Sequence, residues 1–174
     1  MSRQMVLQGR VWVLSDGSGL KSDIDTDMIY HNAHLAVTET EKMGQFALGN
    51  LAGFEDFANQ AKPGDLILAG DNFGSGSSRQ HAVDCFAALG VQAVVARSFG
   101  AIYRRNAINS GFPIMELPDL PEGLFQHLED VRVDLATGEI TAGDRSFTGL
   151  PMSAVARDIY HTGGLFQYAE TLKK

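Results

Sequence analysis

Residues 70–83 read GDNFGSGSSRQHAV and lie between two apolar runs. Gly74, Gly76, Ser77, Ser78 and Arg79 bring bare backbone, two hydroxyls and a guanidinium to one point. At the start of a helix such a loop adds free N–H groups and a partial positive charge. That setting suits a bound carboxylate, or a serine alkoxide acting as a base. The same residues also fit a plain helix start, with Ser77 as N-cap and Gln80 as its capping-box partner. Phosphate-binding spacings fail. A P-loop needs lysine where Ser77 follows Gly76, and no third glycine completes G-x-G-x-x-G after Gly74 and Gly76. The hydrolase elbow G-x-S-x-G is absent from the loop as well.

Other polar clusters are weaker. Asp23, Asp25 and Asp27 alternate as in a calcium loop, but an EF-hand needs glycine where Met28 stands and glutamate where His34 stands. His31 and His34 have no companion ligand nearby and read as polar loop groups or neighbours of a substrate. His81 falls in the first turn of the loop helix. Arg104, Arg105 and Asn106 fall late in a helix, where cations favour the dipole. Cys85 is the one cysteine. It permits no internal disulfide and no sulfur cage for zinc or an iron–sulfur cluster, so no metal is expected on this chain. It reads as a small core residue of a protein in a reducing compartment.

The elements that must position the loop follow from periodicity. Gly9–Leu14 is β-branched and apolar and predicts an opening strand. Residues 21–45 show no sustained period and form a long irregular stretch of the kind that is usually functional. Phe46 to Gln60 carries apolar residues at helical spacing. Asp65–Ala69, Val91–Ala96 and Pro113–Leu117 predict buried strands. A helix starting near Ser77 and ending at Gly90, and another capped by Ser98 and running to about Asn109, separate them. This β–α–β–α–β order implies parallel strands with helical crossovers, and ligands bind beyond the carboxyl ends of such strands. The tail predicts a short antiparallel element from Val131 onward and a helix over Pro151–Tyr160. No linker divides residues 1–174, so one α/β domain is expected.

The composition excludes several classes. The chain has 174 residues, 44% of them hydrophobic and 20% charged, with a net charge of −7. That balance argues against a broad nucleic-acid surface. No apolar run approaches the ~20 residues of a membrane span, and the N-terminus does not read as a signal peptide. A cytoplasmic protein, bound to neither nucleic acid nor membrane, is the expectation.

The loop GDNFGSGSSRQHA resembles the active-site loop of the aconitase-superfamily swivel domain. It is most similar to that of the separate small subunits of the 3-isopropylmalate dehydratase type. DIDTDMI, KPGDLILA, SFGAIYRRNAINSGFPIM and Gly163-Gly164-Leu165 resemble further blocks of that family in order. The resemblance departs at Ser75, where many members carry cysteine, and at Gln80, where many carry glutamate. It implies a swivelling β/β/α fold and a hydro-lyase of leucine biosynthesis that isomerises 2- and 3-isopropylmalate by dehydration and rehydration. It also implies a large partner subunit whose [4Fe–4S] cluster makes the substrate hydroxyl a better leaving group. By match to the motif, Ser77 is the base, Ser78 and Arg79 hold a substrate carboxylate, and Asp27 supports them. His34, Leu35, Ala36 and Val37 fall at the family's specificity loop. Ala36 takes the position where homoaconitase-like members carry an arginine for a third carboxylate, so a dicarboxylate with an alkyl branch is implied. A dimethylmalate-type or homoaconitase-type substrate is the alternative within the class. A stand-alone anion- or nucleotide-binding module is the alternative outside it.

Overall fold

The computed structural model describes residues 2–174. Strands β1 (Val6–Val13), β2 (Leu66–Ala69), β3 (Ala93–Ala96), β4 (Ile114–Glu116), β5 (Asp130–Asp134), β6 (Glu139–Ala142) and β7 (Arg145–Thr148) form one sheet. Its order is β4-β3-β2-β1-β5-β6-β7. The β4-β3-β2-β1 half is parallel, and β5, β6 and β7 are added antiparallel. β1 joins the halves by dividing its length. Its first five residues, Val6–Arg10, pair with β5, and Val11–Val13 pair with β2.

Helices α4 (His81–Ala88) and α5 (Ala101–Asn109) are the crossovers from β2 to β3 and from β3 to β4. The predicted parallel βαβαβ centre and antiparallel element are therefore present. The central strands are buried on both faces, as crossover topology requires. Successive β2 residues alternate, with Leu66 and Leu68 in one core cluster and Ile67 and Ala69 in the other. Between β1 and β2 run three short helices, α1 (Thr26–Ile29), α2 (Thr40–Met43) and α3 (Phe57–Gln60). The tail carries α6 (Ala154–Thr162) and α7 (Leu165–Thr171).

Several boundaries differ from the sequence expectation. α4 starts at His81, four residues past Ser77, and its N-cap Gln80 makes no side-chain cap bond. Ser77 therefore caps nothing, and Gln80 instead donates to Asp84 and Ser110. α5 starts at Ala101, and Ser98 Oγ accepts from the Asn72 N–H at 2.8 Å. The helical spacing over Phe46 to Gln60 yields only the end of a 3₁₀ turn (Gly44–Phe46) and the single turn of α3. Its apolar residues face the core from a chain of tight turns. β1 begins earlier than expected, at Val6, because β5 lengthens its pairing. α6 is capped by Ser153, and α7 has no counterpart in the sequence expectation.

Candidate active site

The glycine–serine loop leaves β2 and is clamped on both sides. On one side it follows residues 21–26. Gly70 N–H donates to Lys21 O (2.8 Å), Gly74 N–H to Ile24 O (2.7 Å), and Thr26 N–H to Ser75 O (2.9 Å). On the other side Phe73 N–H donates to Ser98 O (3.0 Å) and Gly100 N–H to Phe73 O (2.9 Å). Close approach therefore comes from the protein itself. Gly74 has φ +78°, and a Cβ there would lie 2.2 Å from Tyr103 Cγ. Gly76 differs: its φ is +91°, but a Cβ would find its nearest atoms at 3.7 Å. Gly74 makes room for α5, whereas Gly76 turns the chain so that Ser77 stands at the tip.

Ser77 and Ser78 are exposed, and Arg79 lies beneath them with its side chain 11% exposed. The Ser77 hydroxyl and the N–H groups of residues 77–79 have no protein partner among the described residues. Ser78 Oγ accepts from Asn106 Nδ2 at 3.3 Å. Arg79 Nη1 donates to Asp27 Oδ1 (3.0 Å) and to Tyr30 O (2.7 Å). Its Nη2 and Nε have no acceptor among the described residues, so one edge of the guanidinium fork remains for an anion. A planar fork of this kind matches a carboxylate in two parallel bonds.

Asp27 is held in turn. Its Oδ1 also accepts from the Asn32 N–H (2.8 Å), and its Oδ2 accepts from Asn50 Nδ2 (3.2 Å). The Asn32 N–H and the Arg79 guanidinium outweigh partial burial and keep the Asp27 carboxyl below its ordinary pKa. Asp27 is thus an anion that fixes the cation. The sequence concealed Asn32 and Asn50 because both sit in irregular chain, where no period announces which side chain turns inward. Tyr30 was concealed for another reason, since it contributes a backbone carbonyl.

Asp25, the N-cap of α1, accepts from the Met28 N–H at 2.8 Å. The four residues of the expected specificity loop divide by role. His34 stacks on Phe46 with ring centroids 3.8 Å apart, and its carbonyl accepts from the Tyr30 hydroxyl. Val37 packs against the core, and its carbonyl is 3.1 Å from His81 Nε2. Leu35 and Ala36 are exposed. His81 therefore ties this turn to the first turn of α4, two residues past Arg79. His31 uses Nδ1 to accept from the Ala33 N–H, and its Nε2 is 4.0 Å from Asp27 Oδ2. Among the described residues no three His, Cys, Asp or Glu side chains are placed to hold a metal ion. Cys85 is buried, and burial pushes its thiol pKa well up, away from reactivity.

A loop carrying the unpartnered Ser77 hydroxyl and a half-engaged arginine, on a mixed sheet with this strand order, defines an aconitase-type swivel domain. The Aconitase C-terminal domain family matches residues 20–119, which contain every strand and loop of the site. The chain is 37% identical over 171 residues to the 3-isopropylmalate dehydratase small subunit of Aquifex aeolicus, covering 96% of each. It is 35% identical over 170 residues to that of Aliarcobacter butzleri, covering 97% of this chain and 96% of the relative. The crystal structure of 3-isopropylmalate dehydratase from Methanocaldococcus jannaschii superposes with a TM-score of 0.82 at 30% identity, over 97% of this chain and 96% of that one. The chain belongs to the family of 3-isopropylmalate dehydratase small subunits.

Proposed function

We propose that residues 1–174 act as the swivel domain of a cytoplasmic hydro-lyase that interconverts 2-isopropylmalate and 3-isopropylmalate in leucine synthesis. The exposed, unpartnered Ser77 hydroxyl beside the open edge of Arg79 carries this reading. A large partner subunit supplies a [4Fe–4S] cluster, which when present acts as a Lewis acid on the substrate hydroxyl. This chain offers no donor set for that cluster among its described residues. Among the described residues no helix is long and apolar enough to cross a membrane.

Arg79 Nη2 and Nε take one substrate carboxylate, and the Ser78 hydroxyl takes one of its oxygens. The bound carboxylate places the adjacent carbon over Ser77. Ser77 as alkoxide removes the proton from that carbon. The C–H electron pair becomes the C=C bond, the C–O bond at the neighbouring carbon breaks, and the hydroxyl leaves as hydroxide. Readdition puts hydroxide on the carbon that lost its proton and returns the Ser77 proton to the other carbon. The free N–H groups of residues 77–79 and the guanidinium supply positive potential that lowers the cost of the alkoxide.

Substrate choice falls to Leu35 and Ala36. They present no cation to a third carboxylate, whose burial unpaired costs several kcal/mol. An isopropyl branch instead gains ~0.8 kcal/mol per buried CH₂.

Ser77→Ala in the complex with the large subunit tests the base. Turnover is expected to fall by ~10²–10⁴-fold, the usual worth of a general base. The melting temperature is expected to stay unchanged, since Ser77 caps no helix. Turnover within a few-fold of the unsubstituted complex would overturn the assignment.

A further inference from the structure

Helix α7 is weak by its own means. It has 7 residues, none of them buried, and no side chain caps its start. Helices so short are marginal in water without a packed face. Yet Leu165, Phe166 and, just past the helix, Leu172 are 38%, 85% and 69% exposed. Phe166 is the most exposed large hydrophobic side chain among the described residues. Exposed apolar side chains with an aromatic among them are the composition of a docking site.

The position of α7 indicates what covers it. The Gly163-Gly164 turn that launches the helix rests on the end of α5. A Cβ on Gly111 would lie 3.0 Å from the Gly163 carbonyl carbon, and one on Gly164 would lie 3.3 Å from Asn109 O. The same end of α5 holds the catalytic loop. Asn106 Nδ2 donates to Ser78 Oγ at 3.3 Å, and Ser110 Oγ accepts from Gln80 Nε2 at 2.6 Å. Helix α7 thus starts against the end of α5 that supports Ser78. Ser77 and Ser78 are exposed, so the subunit that completes the site must close over this loop and reach its immediate surroundings.

From this continuity we infer that α7 is a docking element for the large iron–sulfur subunit, with Phe166 as its anchor in an apolar pocket beside that subunit's substrate cleft. The inference rests on the reading that Ser77 works in a shared active site. A second copy of this chain is the competing occupant, and the test separates the two.

The experiment titrates the purified, cluster-loaded large subunit with this chain and reads the dissociation constant from activity and from direct binding. Phe166→Asp is expected to weaken association by about thirty-fold or more, the scale of an interface hot spot. Phe166→Leu should retain most of the affinity. At saturating small subunit, kcat should be unchanged for both, and the isolated variants should melt with the unsubstituted chain because Phe166 touches no core. Unchanged affinity for Phe166→Asp would overturn the inference. So would a chain that self-associates through Phe166 while the complex is unaffected. Failure of the unsubstituted chain to bind the large subunit at all would overturn the shared-site reading and this inference together. A loss of turnover in Ser77→Ala with intact Phe166→Asp affinity would leave only the former standing.

Discussion

Gly74 and Gly76 have the same kind of backbone but different surroundings, and that difference makes a quantitative prediction. Both occupy the left-handed region, with φ of +78° and +91°. Alanine at either position meets a left-handed penalty of ~1–2 kcal/mol. At Gly76 little else is added, because the nearest atoms, Asp25 Cβ and Thr26 Oγ1, stand at ordinary contact distance. At Gly74 the new methyl would lie 2.2 Å from Tyr103 Cγ and 2.5 Å from Tyr103 Cβ. Tyr103 has nowhere to retreat. Its ring is edge-on to Phe73 at 5.3 Å and stacked on Phe99 at 6.2 Å, and its hydroxyl donates to Ala82 O at 3.2 Å. Forcing a methyl into such packing adds ~1–3 kcal/mol. The sums are about 2–5 kcal/mol for Gly74→Ala and about 1–2 kcal/mol for Gly76→Ala. At ~2–4 °C per kcal/mol for a domain of this size, the melting temperature should fall by roughly 4–20 °C and roughly 2–8 °C respectively. The assay is paired thermal unfolding of the two variants in one buffer, with kcat measured in the complex. Gly76→Ala should lose the larger share of its activity per degree lost, because it re-aims Ser77. Equal melting losses, or a larger loss at Gly76, would refute the packing argument.

Two further outcomes follow from named contacts. Asp65 is buried and accepts from Arg10 Nε (3.0 Å) and Nη2 (2.7 Å), Trp12 Nε1 (2.9 Å) and the Lys62 N–H (2.8 Å). Asp65→Ala strands those donors and should cost ~3–5 kcal/mol in denaturant unfolding, with kcat/KM of the folded fraction unchanged. Burial alone would raise the Asp65 pKa, but the Arg10, Lys62 and Trp12 bonds outweigh it and leave it lowered. Its stabilisation is therefore complete above the unfolded carboxylate value of ~3.9 and lost as pH falls through the lower folded value, so this acid-side component should vanish in the variant. Ala36→Arg should shift relative kcat/KM from isopropylmalate towards cis-aconitate and cis-homoaconitate, and an unchanged ranking would remove residues 34–37 from substrate selection.

The parallel centre was legible because its strands are short, apolar and separated by helices with clear stops. Gly90 and Gly111 do end α4 and α5, at φ +77° and +68°. The start of α4 was misread because a serine three residues before a glutamine satisfies the capping-box pattern wherever the helix begins. What decides the start is tertiary: Arg79 is pulled down to Asp27 and the Tyr30 carbonyl, which holds residues 77–79 out of the helix. The run from Phe46 to Gln60 misled for the opposite reason. Its apolar spacing is genuine, but Leu48 N–H bonds back to Ile29 O, and a succession of tight turns buries the same side chains without a helix. Helix α7 left little signal because no core face imprints a period on it. In the site, the loop and Asp27 were visible through a resemblance carried by their residue types, while the residues that orient Asp27 belong to irregular chain.

Ser77 stands at the tip of a loop that is immobilised around it. Residues 70–75 are fixed by bonds to chain on both sides, and Arg79 is fixed by Asp27 and Tyr30. Only residues 76–78 lie between these anchors, so the tip has little freedom to lose when substrate arrives. An alkoxide base gains from this, since donors already in place stabilise charge without reorganising. Arg79 shows the same economy in one side chain. Nη1 is committed to the protein, which sets the plane of the guanidinium, and Nη2 and Nε are left to meet a carboxylate in that plane. The burden of orientation falls on Asp27, and its own bonds to Asn32 and Asn50 keep it ionised and aimed. A site built this way is rigid around Ser77 and Arg79 and open on the outer side of the loop tip. Under the function proposed above, the large subunit closes that open side, and α7 is the apolar element offered to it there.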